Sequence, residues 1–139
     1  MSAPGLRAVQ PDGWPAPRGY ANGIVAPAGA RLCFVAGQIA WDARGRLVGA
    51  GDFAAQFRQA LANVVAVVRA AGGGPEHLAQ LTVFVTDKRL YTDSTRALGG
   101  IWREIAGTHY PAMALVEVAG LLEEGALVEI QGVAALPGA

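Results

Sequence analysis

Apolar and polar positions alternate in two successive runs near the C-terminal end of the chain, and this is its clearest pattern. Between residues 109 and 134, Met113, Leu115, Glu117 and Ala119 fall on one side of an extended segment, and Ala114, Val116 and Val118 on the other. After a turn over residues 120–125 the alternation resumes. Leu127, Glu129, Gln131 and Val133 are set against Ala126, Val128, Ile130 and Ala134. The pattern predicts two strands closed by a short turn, a hairpin. Carboxylates seldom sit within apolar strands without a partner or a task, so Glu117 and Glu129 are the first candidates for chemistry. Glu123 and Glu124 fall in the turn, where solvent accounts for them, although a turn can also line a cleft mouth.

The rest of the chain follows the same two periods. Residues 1–18, rich in proline and glycine, predict an irregular N-terminal arm. A first strand is expected over residues 20–26, ended by the turn Pro27-Ala28-Gly29. Residues 32–39 (LCFVAGQI) are almost continuously apolar and predict a buried strand. Gly37 and Gln38 interrupt it, which points to a bulge or a close backbone approach. Asp42-Ala43-Arg44-Gly45 predicts a turn, with a short strand at Leu47-Val48. Asp52 is a helix N-cap candidate, followed at helical spacing by Phe53, Phe57, Ala60, Leu61, Val64, Val68 and Ala71. Gln56, Gln59, Asn63 and Arg69 are assigned to the opposite, polar face. Gly72-Gly73-Gly74-Pro75 stops this helix. Residues 78–86 predict a strand, and residues 93–106 a helix with the stripe Leu98, Ile101, Trp102 and Ile105.

The order of strands, helix, strand, helix and two strands predicts an α+β fold with both helices on one face of a mixed sheet. The other face is left bare although its strands carry apolar residues there, so self-association is expected. Composition agrees: 53% of residues are hydrophobic and only 16% charged, against about 25% charged in an ordinary soluble domain. The formal net charge of zero offers no basic footprint for nucleic acid or an anionic membrane. No apolar run approaches the ~20 residues of a membrane span, and the arm has no apolar segment resembling a secretory signal. A single cysteine, Cys33, forms no intrachain disulfide and suits a reducing compartment; the cytoplasm is the expected location. His77 and His109 lie far apart with no ligand-spaced partners, so no metal site is expected. The glycine run precedes a strand and so predicts a helix stop, not a phosphate loop. Trp14, Trp41 and Trp102 are too scattered for a base-stacking platform.

The stretches GYANGI, FVAGQI, QFRQALANVVAVVRAAG, LTVFVTD, YPAMALVEV and GALVEIQGVA, in this order and spacing, resemble the Rid/YjgF family of reactive-intermediate deaminases over residues 20–134. The resemblance implies a chorismate-mutase-like α+β fold over residues 19–139, with a mixed six-stranded sheet, two helices on one face, and a homotrimer. Three sheets then form a central barrel, with clefts at the subunit interfaces for a small-molecule substrate. RidA-like members hydrolyse enamines and imines derived from amino acids, such as 2-aminoacrylate, to keto acids and ammonia without metal or organic cofactor. By the same resemblance Glu129 holds the attacking water, Gly37 and Gln38 offer main-chain groups, and Tyr20 completes the cleft; in the mechanism expected here, main chain near Gly37 and Leu115 steadies the developing charge.

One position departs from the family pattern. The arginine that grips the substrate carboxylate falls on Met113. A thioether cannot make the paired, charge-assisted bonds of a guanidinium, and losing such a partner costs about 2–5 kcal/mol of binding. Methionine gives an apolar, adaptable wall instead. Arg96, on the second predicted helix, is the candidate replacement cation. Each site residue also has a plain structural explanation. Glu129 can be a solvated strand residue and Glu117 a partner in an interface ion pair or hydrogen bond. Tyr20 and Met113 can be packing residues, and Gly37-Gln38 a bulge. The competing functions are a hydrolase or lyase acting on a different small molecule, and a non-catalytic small-molecule-binding trimer. Family members described as endoribonucleases offer a further comparison, which the zero net charge disfavours here.

Overall fold

A computed structural model describes residues 5–138. The long helix α1 (Phe53–Ala70) begins where the sequence predicts, the Asp52 carboxylate accepting from the Ala55 N–H at 3.1 Å. Phe57, Leu61, Val64 and Val68 face the core. Gly72, at φ +97°, turns the chain out of the helix, and Pro75 opens a short 3-10 turn. Gln56 departs from its expected polar face and is fully buried. Its amide donates to the Gly49 and Gly125 carbonyls at 3.2 and 3.0 Å and accepts from the Leu127 N–H at 2.9 Å. A polar side chain is tolerated there because its groups are paired. Helical spacing could not reveal partners so distant along the chain.

The strands are β1 (Arg7–Val9), β2 (Gly23–Val25), β3 (Arg31–Gln38), β4 (Leu78–Val85), β5 (Ala112–Glu117) and β6 (Val128–Leu136). Between β4 and β5 lie a short helix, α2 (Lys88–Thr92), and α3 (Thr95–Ala106). The main sheet has the order β3-β6-β4-β5. β6 runs antiparallel to both neighbours, whereas β5 is parallel to β4, as a helical crossover permits. The expected C-terminal hairpin therefore does not form: β4 lies between β5 and β6. Period-2 alternation identifies strands but not their neighbours; here β6 pairs with β4 through matches such as Val83 with Ile130.

The six strands also do not share one sheet. Four form the mixed sheet, and β1 and β2 form a separate antiparallel ribbon. Thus residues 7–9 of the expected irregular arm are a strand, while residues 1–4 of that arm lie outside the described residues. The expected strand over residues 20–26 is shorter, at Gly23–Val25. Before it, Ala21 bridges to Ala112, and its N–H donates to the Pro111 carbonyl at 3.0 Å. The turn at Asp42 forms, its carboxylate accepting from the Arg44 and Arg46 N–H groups at 2.8 and 2.9 Å. Leu47 contributes only a bridge to Trp41.

The helices pack on one face of the main sheet. Leu61, Val64 and Val68 meet Leu81, Val83, Val128 and Ile130, with Leu98, Ile101 and Trp102 completing the core. Each fully buried leucine contributes about 1.5–3 kcal/mol by leaving water. The opposite face carries Leu32 and Phe34, 58% and 74% exposed in the single chain, and Val116 on the strand at the far edge of the sheet. The β3 stretch is therefore buried at Val35 but open at alternate positions, not buried throughout as expected. No helix among the described residues is long and apolar enough to cross a membrane.

Candidate active site

A cavity of about 390 Å³ opens between the segment before β2, helix α3 and strand β5. Met113 and Leu115 both line it. They pair in register with Leu81 and Val83, which point to the helix-covered side, so β5 turns the same face inward. Tyr20 closes the cavity from the N-terminal side, and Tyr91, Trp102 and Tyr110 add aromatic walls. Trp102 is fixed twice. Its Nε1 donates to the His109 carbonyl at 3.0 Å, and its ring stacks on Tyr110 with centroids 5.5 Å apart. His109 is itself held, its Nε2 donating to the Leu78 carbonyl at 2.7 Å.

Glu129 lies elsewhere. It pairs with Phe84, which alternates with the buried Val83 and Val85, and so points to the bare face. Beside it β3 is bulged: Val35 pairs with Gly132, but the next pair is Gln38 with Ile130. The absence of a side chain at Gly37 gives Glu129 its room. A Cβ at position 37 would stand 2.8 Å from the Glu129 Cδ. No ion pair engages Glu129 among the described residues. Gln38 turns back along its own strand, its Nε2 donating to the Ala36 carbonyl at 3.1 Å.

Two other candidates stand apart from both places. The Glu117 carboxylate accepts from the Lys88 N–H at 3.0 Å and ties the end of β5 to the start of α2. Arg96 is exposed on α3 and does not line the cavity. The neighbouring Thr95 does, and so does Arg18. Neither is legible in the sequence: Arg18 sits in a proline-rich stretch without periodicity, and a helix wheel cannot separate Thr95 from Arg96 at a helix start. In one chain, therefore, Tyr20, Met113 and Leu115 are together, and Gly37 and Glu129 are together on the other side of the sheet. No group of three or more metal-ligating side chains occurs among the described residues.

The profile of the Endoribonuclease L-PSP family matches residues 15–136, nearly the whole chain. The chain belongs to this family, the Rid/YjgF family. A RutC family protein of Synechocystis sp. is 36% identical over 133 residues, covering 95% of this chain and 98% of the relative. Among solved structures, YyfB of Yersinia pestis, described as a protein of the conserved Rid family, is 30% identical. It superposes with a TM-score of 0.83 over 94% of this chain and 98% of its own. The human 2-iminobutanoate/2-iminopropanoate deaminase is 28% identical over 104 residues, 75% of this chain and 72% of the relative. The α+β fold with its mixed sheet and packed helices is thus a Rid/YjgF fold, and the cavity beside β5 and the Gly37–Glu129 pair both lie within the matched residues.

Proposed function

We propose that this chain is a cofactor-free hydrolase of enamines and imines derived from amino acids, working in clefts between the subunits of a homotrimer. The observation that carries this reading is Glu129, given room by Gly37 on a sheet face that is apolar and uncovered. Copies of the chain would bury that face. A single subunit cannot set Glu129 and the Met113 cavity around one ligand, because they point to opposite sides of its sheet. Apposed subunits can, one supplying the carboxylate and the next the cavity.

In such a cleft a water hydrogen-bonded to Glu129 adds its oxygen to the imine carbon. The C=N electron pair moves to nitrogen, and the water proton passes through the Glu129 carboxylate to that nitrogen. Main-chain groups near Gly37 and Leu115 steady the developing charge. The resulting carbinolamine then gives its hydroxyl proton to Glu129, the C–N bond breaks as the C=O bond forms, and ammonia leaves with that proton. An enamine enters the same path once its carbon has been protonated to give the imine. The human relative's name, which specifies two 2-imino acids, is consistent with this chemistry.

The test is hydrolysis of 2-aminoacrylate and other 2-imino acids generated in the cuvette. Wild type is expected to exceed buffer, and Glu129→Gln to lose about 10²–10⁴-fold in kcat. A wild type no faster than buffer, and indistinguishable from Glu129→Gln, contradicts the reading. Met113 favours one alternative, a hydrolase or lyase on a different small molecule, since it makes its part of the wall apolar. If Met113→Arg creates imine deaminase activity in an inactive parent, that alternative holds. A ligand that raises the melting temperature yet returns unchanged favours a binding protein.

A further inference from the structure

We propose that Arg18 is the carboxylate-binding group of this chain, and that the substrate it selects is a 2-imino acid with an aromatic or bulky apolar side chain. The inference rests on the cavity described above and deepens the proposed imine chemistry. Arg18 is the one charged side chain among the residues lining that cavity. No carboxylate lines it to neutralise the guanidinium, and Arg18 makes no ion pair among the described residues. A cation facing an otherwise apolar and aromatic space, without an internal counter-charge, suits an anionic group on the ligand.

The backbone brings Arg18 to the wall facing Met113. The Ala21 N–H donates to the Pro111 carbonyl at 3.0 Å, and Ala21 bridges to Ala112. These contacts clamp the arm along the first residues of β5, next to Met113. Between the clamp and Arg18, Gly19 takes φ +75°, a turn that a residue with a Cβ rarely adopts. Pro17 restricts the chain on the other side. Arg18 therefore lines the cavity from the arm, which is held against the start of the strand that carries Met113.

The remaining walls define what the carboxylate is attached to. Trp102, stacked on Tyr110 and anchored through its Nε1, forms a rigid plane. Tyr91 and the Met113 thioether add polarisable apolar surface. A volume of about 390 Å³ holds a ring-sized side chain, whereas a three-carbon imino acid would leave most of these walls unfilled.

Titration calorimetry on the full chain tests this with three stable probes. Phenylpyruvate carries ring and carboxylate, pyruvate only the carboxylate, and phenylacetone only the ring and ketone. Wild type is expected to bind phenylpyruvate at least about tenfold tighter than pyruvate, from burial of the ring. Arg18→Gln should weaken phenylpyruvate on the order of tenfold, the lower end for a charged hydrogen bond because Arg18 is exposed, and change phenylacetone by less than about twofold. Arg18→Lys should recover part of the loss. The proposal is overturned if Arg18→Gln binds phenylpyruvate as wild type does, if it loses phenylacetone in parallel, if pyruvate binds as tightly as phenylpyruvate, or if phenylpyruvate does not bind. These results are independent of turnover. The expected binding pattern without imine hydrolysis keeps the assignment of Arg18 and removes the catalytic reading. Hydrolysis of imines with a KM unmoved by Arg18→Gln does the reverse.

Discussion

Glu129 and Gly37 belong to different strands, and neither explains itself alone. A carboxylate on an apolar sheet face is held open by the missing side chain of its neighbour, the Cβ of which would come within 2.8 Å of Cδ. Gly37→Val should therefore displace the carboxylate and suppress imine hydrolysis while leaving the fold intact, read by activity beside an unchanged circular dichroism spectrum. Full activity in that variant would contradict the role given to the pair. The sequence made both residues visible, Glu129 by its place in an apolar run and Gly37 by interrupting one. It could not show that they touch, because the contact crosses two strands nearly a hundred positions apart. Arg18 was invisible for a different reason: an arginine in a proline-rich arm has no period from which to infer its direction.

Elements were more legible than their partners. α1 announced its cap, its stripe and its stop, and β4 its apolar run, because these depend on local geometry and near neighbours. The false hairpin came from the same strength: two clean alternations look contiguous until a third strand is found between them. Gln56 is the corresponding surprise within α1, and it predicts a cost. Gln56→Ala would strand the Leu127 N–H and the Gly49 and Gly125 carbonyls, destabilising the fold by about 3 kcal/mol in urea unfolding. A loss below about 0.5 kcal/mol would show that water replaces the amide freely.

The α1–α3 contact also has an electrostatic component. Arg58 Nη2 lies 2.7 Å from Glu104 Oε2, and its hydrogen bond and charge hold the Glu104 carboxyl below its ordinary 4.5. The N–H groups of Arg46 and Arg44 hold the Asp42 carboxyl below 3.8 in the same sense. Depressed acids stabilise the fold above their unfolded values, and the contribution is lost as pH falls through the folded ones. The melting temperature should thus drop as pH is lowered below about 4.5, with a shallower slope in the Glu104→Gln, Asp42→Asn double variant. Identical slopes would contradict this assignment. Both groups are exposed, so the effect should shrink in high salt.

For the whole molecule, two helices covering one side of a sheet predict a bare opposite face, and the structure has such a face, with Phe34 and Leu32 open in the single chain. What covers it was beyond the reach of periodicity, because one chain's pattern reports which side is apolar and not what meets it. The proposed trimer makes two demands. Phe34→Glu should place charge in the buried contact and reduce assembly, seen as a smaller species in sedimentation. Mixing Glu129→Gln with a variant blocked at the cavity, Met113→Trp, should recover part of the activity in mixed trimers, since each cleft would draw its two halves from different subunits.

The most direct measurement is the mass of the purified wild-type chain at micromolar concentration by sedimentation equilibrium. The account predicts a single species at three times the 14.3 kDa chain mass. A well-behaved species at the mass of one chain would leave Glu129 and the Met113 cavity on opposite sides of a sheet with nothing to join them, and would contradict it.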